Sequence, residues 1–320
     1  LVSISTNATL DLNGAAQIVG GLTDPAGAPG FGGLVTNTAA GTPALMALAP
    51  AAGAVQTFSG RIADDGSAGN AITVASVGRG VQVLSGTNTY GGGTIINNGA
   101  LRFASTNALP AGSMVALNGG GLAFDWSGAQ NTLTTRVLAG ASGALALTAA
   151  NAAENIDFSV PGYSNMFLGA ADTVAYVNTL TPFGAPNLYS AVNTNVYRLG
   201  GGGGTLVFSN NLVNPYSLTV GSGPGKVVLT TSNAFFGPLT VNRDAVLDVA
   251  GHDQSAPWIL VNADGAITNS SATAATLTGG MDSIFSINSA NAPAWTNWGA
   301  IGGALTLTKV GPGTQMLAVA

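Results

Sequence analysis

Residues 77–104, VGRGVQVLSGTNTYGGGTIINNGALRFA, limit the fold more than any other stretch of this chain. Three short apolar runs, at 81–84, 94–96 and 101–103, are separated by clusters of Gly and Asn. Strands this short, broken by such corners, cannot fill a sheet of ordinary length. They suit the turns of a solenoid, in which each coil of chain bonds to the coils above and below it. Asn tolerates left-handed backbone angles and bonds its own backbone, and Gly meets no steric penalty at a tight corner.

The corner grammar recurs. Residues 83–103 align with 228–249: Asn88 falls on Asn233, Tyr90 on Phe235, Gly92 on Gly237 and Asn97 on Asn242. A longer relationship links the two ends of the chain. Asp11 falls on Asp248, Gly14 on Gly251 and Gln17 on Gln254; 35–45 matches 267–277, and 71–84 matches 304–317. The pattern describes a module of about 235 residues followed by roughly a third of the next, as in a tandem array. The expected organisation is solenoid turns over 1–150, an irregular turn or small excursion over 151–200, and further turns over 201–320, with 238–317 repeating 1–84. Residues 133–137 and 144–147 read as further strand edges. The segment 151–200 stands apart through Glu154, Pro161, Pro182, Pro186, Tyr163, Tyr176, Tyr189 and Tyr197.

Composition fits this reading. Only 7% of residues are charged, against about 25% in ordinary domains. No apolar run approaches the ~20 residues of a membrane-spanning helix, and 46% hydrophobic residues argue against disorder. The chain has no Cys, which excludes disulfides and thiolate metal sites. A net charge of −5 without a basic stripe argues against nucleic acid.

The run Gly78, Gly80, Leu84, Ser85, Gly86, Asn88, Tyr90, Gly92, Gly93, Thr94, together with residues 307–320 and the glycine run at 198–206, resembles the autotransporter-associated β-strand repeat of large exported bacterial surface proteins. The resemblance implies an all-β fold, a right-handed parallel β-helix outside the cell, and no catalytic residues. The second copy departs from the pattern, with Pro238 and Leu239 in place of Gly-Thr. The structural corner residues are thus Gly86, Asn88, Tyr90, Gly92, Gly93, Asn97, Asn233, Phe235, Gly237 and Asn242.

Candidates for chemistry have plainer readings beside them. His252–Asp253 lacks a positioned Ser and reads as a solvated turn. Asp64–Asp65–Gly66 could take a cation at a turn, yet matches no calcium-loop pattern and reads as an Asp-Gly turn. The glycine runs 200–204 and 221–225 lack the Lys-Ser/Thr of a phosphate loop and read as corners. Asn7 and Asn269 sit in glycosylation sequons, which arise by chance in a chain this rich in Asn, Ser and Thr. Trp295 and Trp298, beside Pro293, are candidate contact aromatics, for a sugar or a subunit, or loop anchors. No cofactor is expected.

Three functions follow in order. The first is a structural stalk, fibre or coat segment, a rod of roughly 60–75 Å at about 4.8 Å per turn, self-associating end to end or continuing into more of the same chain. The second is an adhesin contacting glycans or another surface through a solenoid face or the excursion at 151–200, which requires clustered, exposed aromatics there. The third, a polysaccharide-degrading enzyme, requires several of Asp125, Glu154, Asp157, Arg136 and Arg198 to converge. Location outside the cell or on its surface follows from the resemblance.

Overall fold

The computed structural model describes residues 1–26, 30–184, 195–213, 215–262, 264–279, 300–303 and 305–309; of Ala68 and residues 300–309 it describes the backbone alone. The chain is an all-β parallel solenoid of about 12 turns. Trp295, Trp298, Tyr189 and Pro186 lie outside the described residues.

One long sheet runs through almost all the turns, from Val55–Phe58 through Val81–Leu84, Ala100–Phe103, Gly121–Phe124, Ala144–Leu147, Phe167–Ala170, Asn195–Leu199, Pro215–Val220 and Leu239–Val241 to Ile259–Val261. Each of these strands pairs in parallel with the equivalent strand of the next turn. In the first half, each turn is completed by a three-stranded corner sheet (Thr9–Asp11, Leu34–Thr36, Arg61–Ile62) and a five-stranded sheet ending at Val115–Leu117. In the second half a six-stranded sheet beginning at Thr173–Tyr176 and a four-stranded sheet beginning at Asn233–Ala234 take those places.

Alternation along short strands puts one side chain in two into the core, and parallel register stacks like on like. Leu101, Leu122, Leu145, Leu168, Leu199, Val220, Val241 and Val261 form one such column, every member buried. Each contributes about 1.5–3 kcal/mol of burial. A neighbouring column carries Phe58, Leu84, Phe103 and Phe124, with the last two rings stacked at 6.4 Å.

Gln82 occupies the Leu101 column one turn earlier, and its carboxamide replaces a missing stretch of ladder. Leu22 N donates to Gln82 Oε1 at 2.9 Å, while Gln82 Nε2 donates to Leu22 O at 2.9 Å and Gln56 O at 3.1 Å. A buried amide is tolerated there because both its ends are bonded.

Two departures from plain stacking occur. Residues 133–137 are not a strand edge: Ala129–Arg136 is an α-helix, and Val137 alone bridges back to Val115. The helix has no acidic residue in its own first turn; Glu154 of the next coil supplies the anion, accepting from Gly128 N (2.5 Å) and Gln130 N (3.4 Å). In 151–200, Phe167–Ala170 and Asn195–Leu199 continue the long sheet. There Phe183–Gly184 folds back antiparallel onto Asn195–Val196.

Gly200, Gly201, Gly202 and Gly203 then cross the outer face of the long sheet, all at φ between +87° and +101°. Where they cross, the strands beneath present Gly121, Ala144, Ala146 and Gly169: a Cβ on Gly121 would lie 2.6 Å from the Gly202 Cα, and one on Gly202 would lie 2.4 Å from the Ala146 Cβ. The second half of the solenoid thereby touches the first, and an ion pair between Arg79 and Asp244 joins them a little further out.

The same corner contacts appear near both ends of the chain. Asp11 Oδ1 accepts from Asn13 N and Thr38 N, and Asp248 Oδ1 from Ala250 N and Ser270 N, all at 3.0–3.1 Å. Gly14 N donates to Asn37 Oδ1 and Gly251 N to Asn269 Oδ1, both at 2.8 Å.

Candidate functional site

The Asn–aromatic–Gly corner of the first copy is a clamp across three turns. Asn88 is buried, its Oδ1 accepting from Ile62 N (2.8 Å) in the turn before and its Nδ2 donating to Ala108 O (2.7 Å) in the turn after. Tyr90 is buried with its hydroxyl 2.8 Å from Thr94 Oγ1, and burial pushes its pKa above that of a free phenol. Gly86 and Gly92 are set by close approach: a Cβ would fall 2.0 Å from Gly60 O at the first and 2.6 Å from Ile72 O at the second. Gly93 takes φ +83°. Asn97 accepts from Asn118 Nδ2 at 3.0 Å, starting an amide ladder on the outside.

The second copy keeps some of this. Asn242 repeats the ladder, accepting from Asn262 Nδ2 at 3.2 Å and donating to Gly221 O at 2.9 Å. Phe235 is buried without a hydroxyl to satisfy. Asn233 bonds Thr231 O and Gln254 Oε1 rather than a turn on either side, and Gly237 lies under the Tyr216 ring. The copies also sit on different faces. Val81–Leu84 and Thr94–Ile96 lie in the long and five-stranded sheets, whereas Gly225–Leu229 and Leu239–Val241 lie in the six-stranded and long sheets. The motif has rotated by one face while the long sheet runs on unbroken.

The candidate catalytic residues serve local structure and do not converge. Asp125 pairs with Arg102, which also reaches Asp172 (2.9 Å each). Glu154 caps the helix, Asp157 closes its own turn onto Ser159, and Arg198 donates to Ser164 O. Arg136 donates to the carbonyls of Pro110 and Ser113. Asp64 closes a turn through Gly66 N and ties two coils through Ile72 N and Gly91 N, while Asp65 accepts from Ser67 N. Among the described residues no cluster of three metal-ligating side chains occurs. His252 lies half-buried in the turn closed on Val249 O. Asn7 is exposed, whereas Asn269 is buried with its Nδ2 bonded to Thr273 O.

Within 151–200 the described tyrosines are core residues. Tyr163, Tyr176 and Tyr197 are buried and their hydroxyls bond backbone carbonyls, with burial raising Tyr176 to about 12. Exposed aromatics occur at Phe31 near the start of the chain and, further on, at Tyr216, Phe236 and Trp258 on three consecutive turns. Backbone bonds fix their neighbourhood, Gly237 N donating to Tyr216 O and Leu239 N to Trp258 O. Their sequence signal is weak, because Tyr216 and Trp258 each simply follow a Pro, Phe236 precedes Gly237–Pro238, and the three share no common motif.

Residues 77–103 and 222–245 match the passenger-associated-transport-repeat family, a repeat of autotransporter passengers. No curated protein and no solved structure matches the chain. Among the described residues no helix is long and apolar enough to cross a membrane.

Proposed function

We propose that this chain, two segments of which match the passenger-associated transport repeat, is a stretch of the exported passenger of a bacterial surface protein and works there as a structural spacer. The observation that carries the reading is the coincidence of both matched segments with turns of one parallel solenoid. Stacked turns give length at a low cost in sequence complexity, about 4.8 Å per turn, with neutral Thr, Asn and Ser facing outwards. The role is non-catalytic: Asp125, Glu154, Asp157 and Arg198 are engaged in a cap, a turn and inter-turn contacts. Stacking continues end to end, onto further turns of the same polypeptide or onto a second copy. Ile18, 72% exposed on an open strand edge, supports that contact. Protease shaving of intact cells tests the reading. Release of the solenoid from the surface, as fibres or rods under the electron microscope, supports it; recovery of the chain only from the cytoplasm refutes it.

A second reading, a passenger that adheres to another surface, is favoured by the exposed row of Tyr216, Phe236 and Trp258. Replacing all three with Ala should leave folding intact and reduce attachment of cells to polysaccharide-coated surfaces; unchanged attachment removes this reading.

A further inference from the structure

Outside the first corner, adjacent turns part to leave a shallow cleft of about 420 Å³. Its floor is made by Asn88, Tyr90, Leu109 and Pro110, all buried. Thr87, Thr89, Thr106 and Asn107 stand exposed around the rim, Arg136 closes one end, and no acidic residue lines it. The volume is within the usual range of small-ligand sites.

Arg136 is held by backbone carbonyls. Its Nε donates to Ser113 O at 3.0 Å, and its Nη2 to Ser113 O at 2.9 Å and to Pro110 O, which fixes the guanidinium plane. Nη1 donates to no described residue. Arg79, Arg102, Lys226 and Arg243 each pair with an aspartate, but Arg136 has no acidic partner among the described residues. Arg61 has none either, and it reaches the rim by donating to Thr89 Oγ1 at 2.9 Å. The fold does not need this positive field: Asn88 is satisfied by Ile62 and Ala108, and Tyr90 by Thr94. In a chain of net charge −5, an arginine without an acidic partner lining a neutral, hydroxyl-rich cleft, with Arg61 bonded to the rim from outside, marks a place for an anion that also carries hydroxyl groups.

We propose that this cleft binds a uronic acid residue, its carboxylate on Arg136 Nη1 and its ring hydroxyls on the rim side chains. Nη1 of the guanidinium, with both of its N–H groups uncommitted, suits a single carboxylate oxygen. A phosphate group would call for more donors than Nη1 alone supplies. The four neutral rim groups select a polyol over a simple carboxylic acid, because each unmatched polar group left dry would cost binding. The site is independent of whether the chain is exported, so it stands or falls in solution on the purified solenoid.

The experiment is a titration of the purified chain with sodium glucuronate, glucose and acetate, read by calorimetry or by NMR shifts of the Thr and Asn side chains. Saturable glucuronate binding is expected, weakened by salt, with glucose and acetate each at least about tenfold weaker. Arg136→Gln should abolish it and Arg136→Lys should retain part. Thr106→Trp fills the cleft from an exposed position, leaves Arg136 and its carbonyl partners untouched, and should also abolish binding while the circular dichroism is unchanged. Absence of saturable glucuronate binding overturns the proposal. So does binding that survives Thr106→Trp, or equal binding of glucose.

Discussion

Gly202 is where the two halves of the solenoid press together, and Gly202→Ala has a magnitude that can be worked out. The residue holds φ +87°, and an added Cβ would lie 2.4 Å from Ala146 Cβ and 2.7 Å from Ala170 O. Left-handed backbone costs an L residue roughly 1–2 kcal/mol. The overlap is separate: carbon atoms rest at about 3.5–4.0 Å, so Ala146, fully buried, must shift by about 1 Å. Overpacking of that kind costs about 1–3 kcal/mol. The sum is about 2–5 kcal/mol. Gly140 provides the control, since it has φ +89° but nothing within 4 Å of its Cβ position; Gly140→Ala measures the backbone cost alone. Solenoids lose turns locally, so the assay is native-state hydrogen exchange at Ala170 and Gly204, whose N–H groups donate to Gly201 O and Ala170 O. Gly202→Ala should speed exchange at both amides well beyond any effect of Gly140→Ala, and adding Ala146→Gly should recover the share of the packing cost that comes from the Ala146 Cβ. Equal effects of the two Gly→Ala changes, or no recovery, would refute the close approach.

Three further changes probe the turns themselves. Asn88→Ala leaves Ile62 N and Ala108 O buried without partners and should cost about 2–4 kcal/mol in urea unfolding. Gln82→Leu keeps the bulk but orphans both backbone groups of Leu22, and should cost about 1–3 kcal/mol, seen as faster exchange at Leu22. Burial alone would raise the pKa of Asp248, but Lys226, with Nζ 2.6 Å away, and the N–H groups of Ser270 and Ala250 more than offset this and hold it below the ordinary carboxylate value. Its stabilisation is therefore present above the unfolded pKa of about 3.9 and is lost as pH falls through the lower folded value. Asp248→Asn should flatten the acid limb of the stability curve, and an unchanged limb would contradict the pairing.

Much of the fold is legible because it is local. Short Val/Leu runs between Asn/Gly corners specify strand, corner and strand, and the spacing of one copy to the next specifies stacking. Asn97 and Asn242 are readable as ladder positions for the same reason. What the sequence hides depends on partners far along the chain. The segment AQNTLTTR has no apolar stripe of helical period, and its capping carboxylate, Glu154, comes from another coil. Gln82 looks like a surface residue within VQVL until Leu22, sixty positions earlier, is placed beside it. The rotation of the second motif copy onto another face leaves no mark in either copy. Gly121, Ala144, Ala146 and Gly169 read as ordinary small strand residues, and only the chain at 200–203 lying across them explains their size. At the corner, Asn88 and Tyr90 are found by motif, whereas Arg136, singled out by its charge alone, is placed beside them only once the coils are stacked.

Parallel, in-register stacking of coils is the claim on which everything else rests, and a disulfide measures it. The natural chain has no Cys. Ile95 and Ala116 are register partners one turn apart, both half-buried on the outward side between buried neighbours. The double variant Ile95→Cys/Ala116→Cys places two Cα atoms about 4.8 Å apart, within the span a disulfide accepts, while Ile95→Cys/Asn118→Cys is displaced along the strand beyond about 7 Å. Under mild oxidation the first pair should close almost completely within one molecule and the second should stay reduced. Closure of the second pair in preference to the first would contradict the stacked-coil architecture.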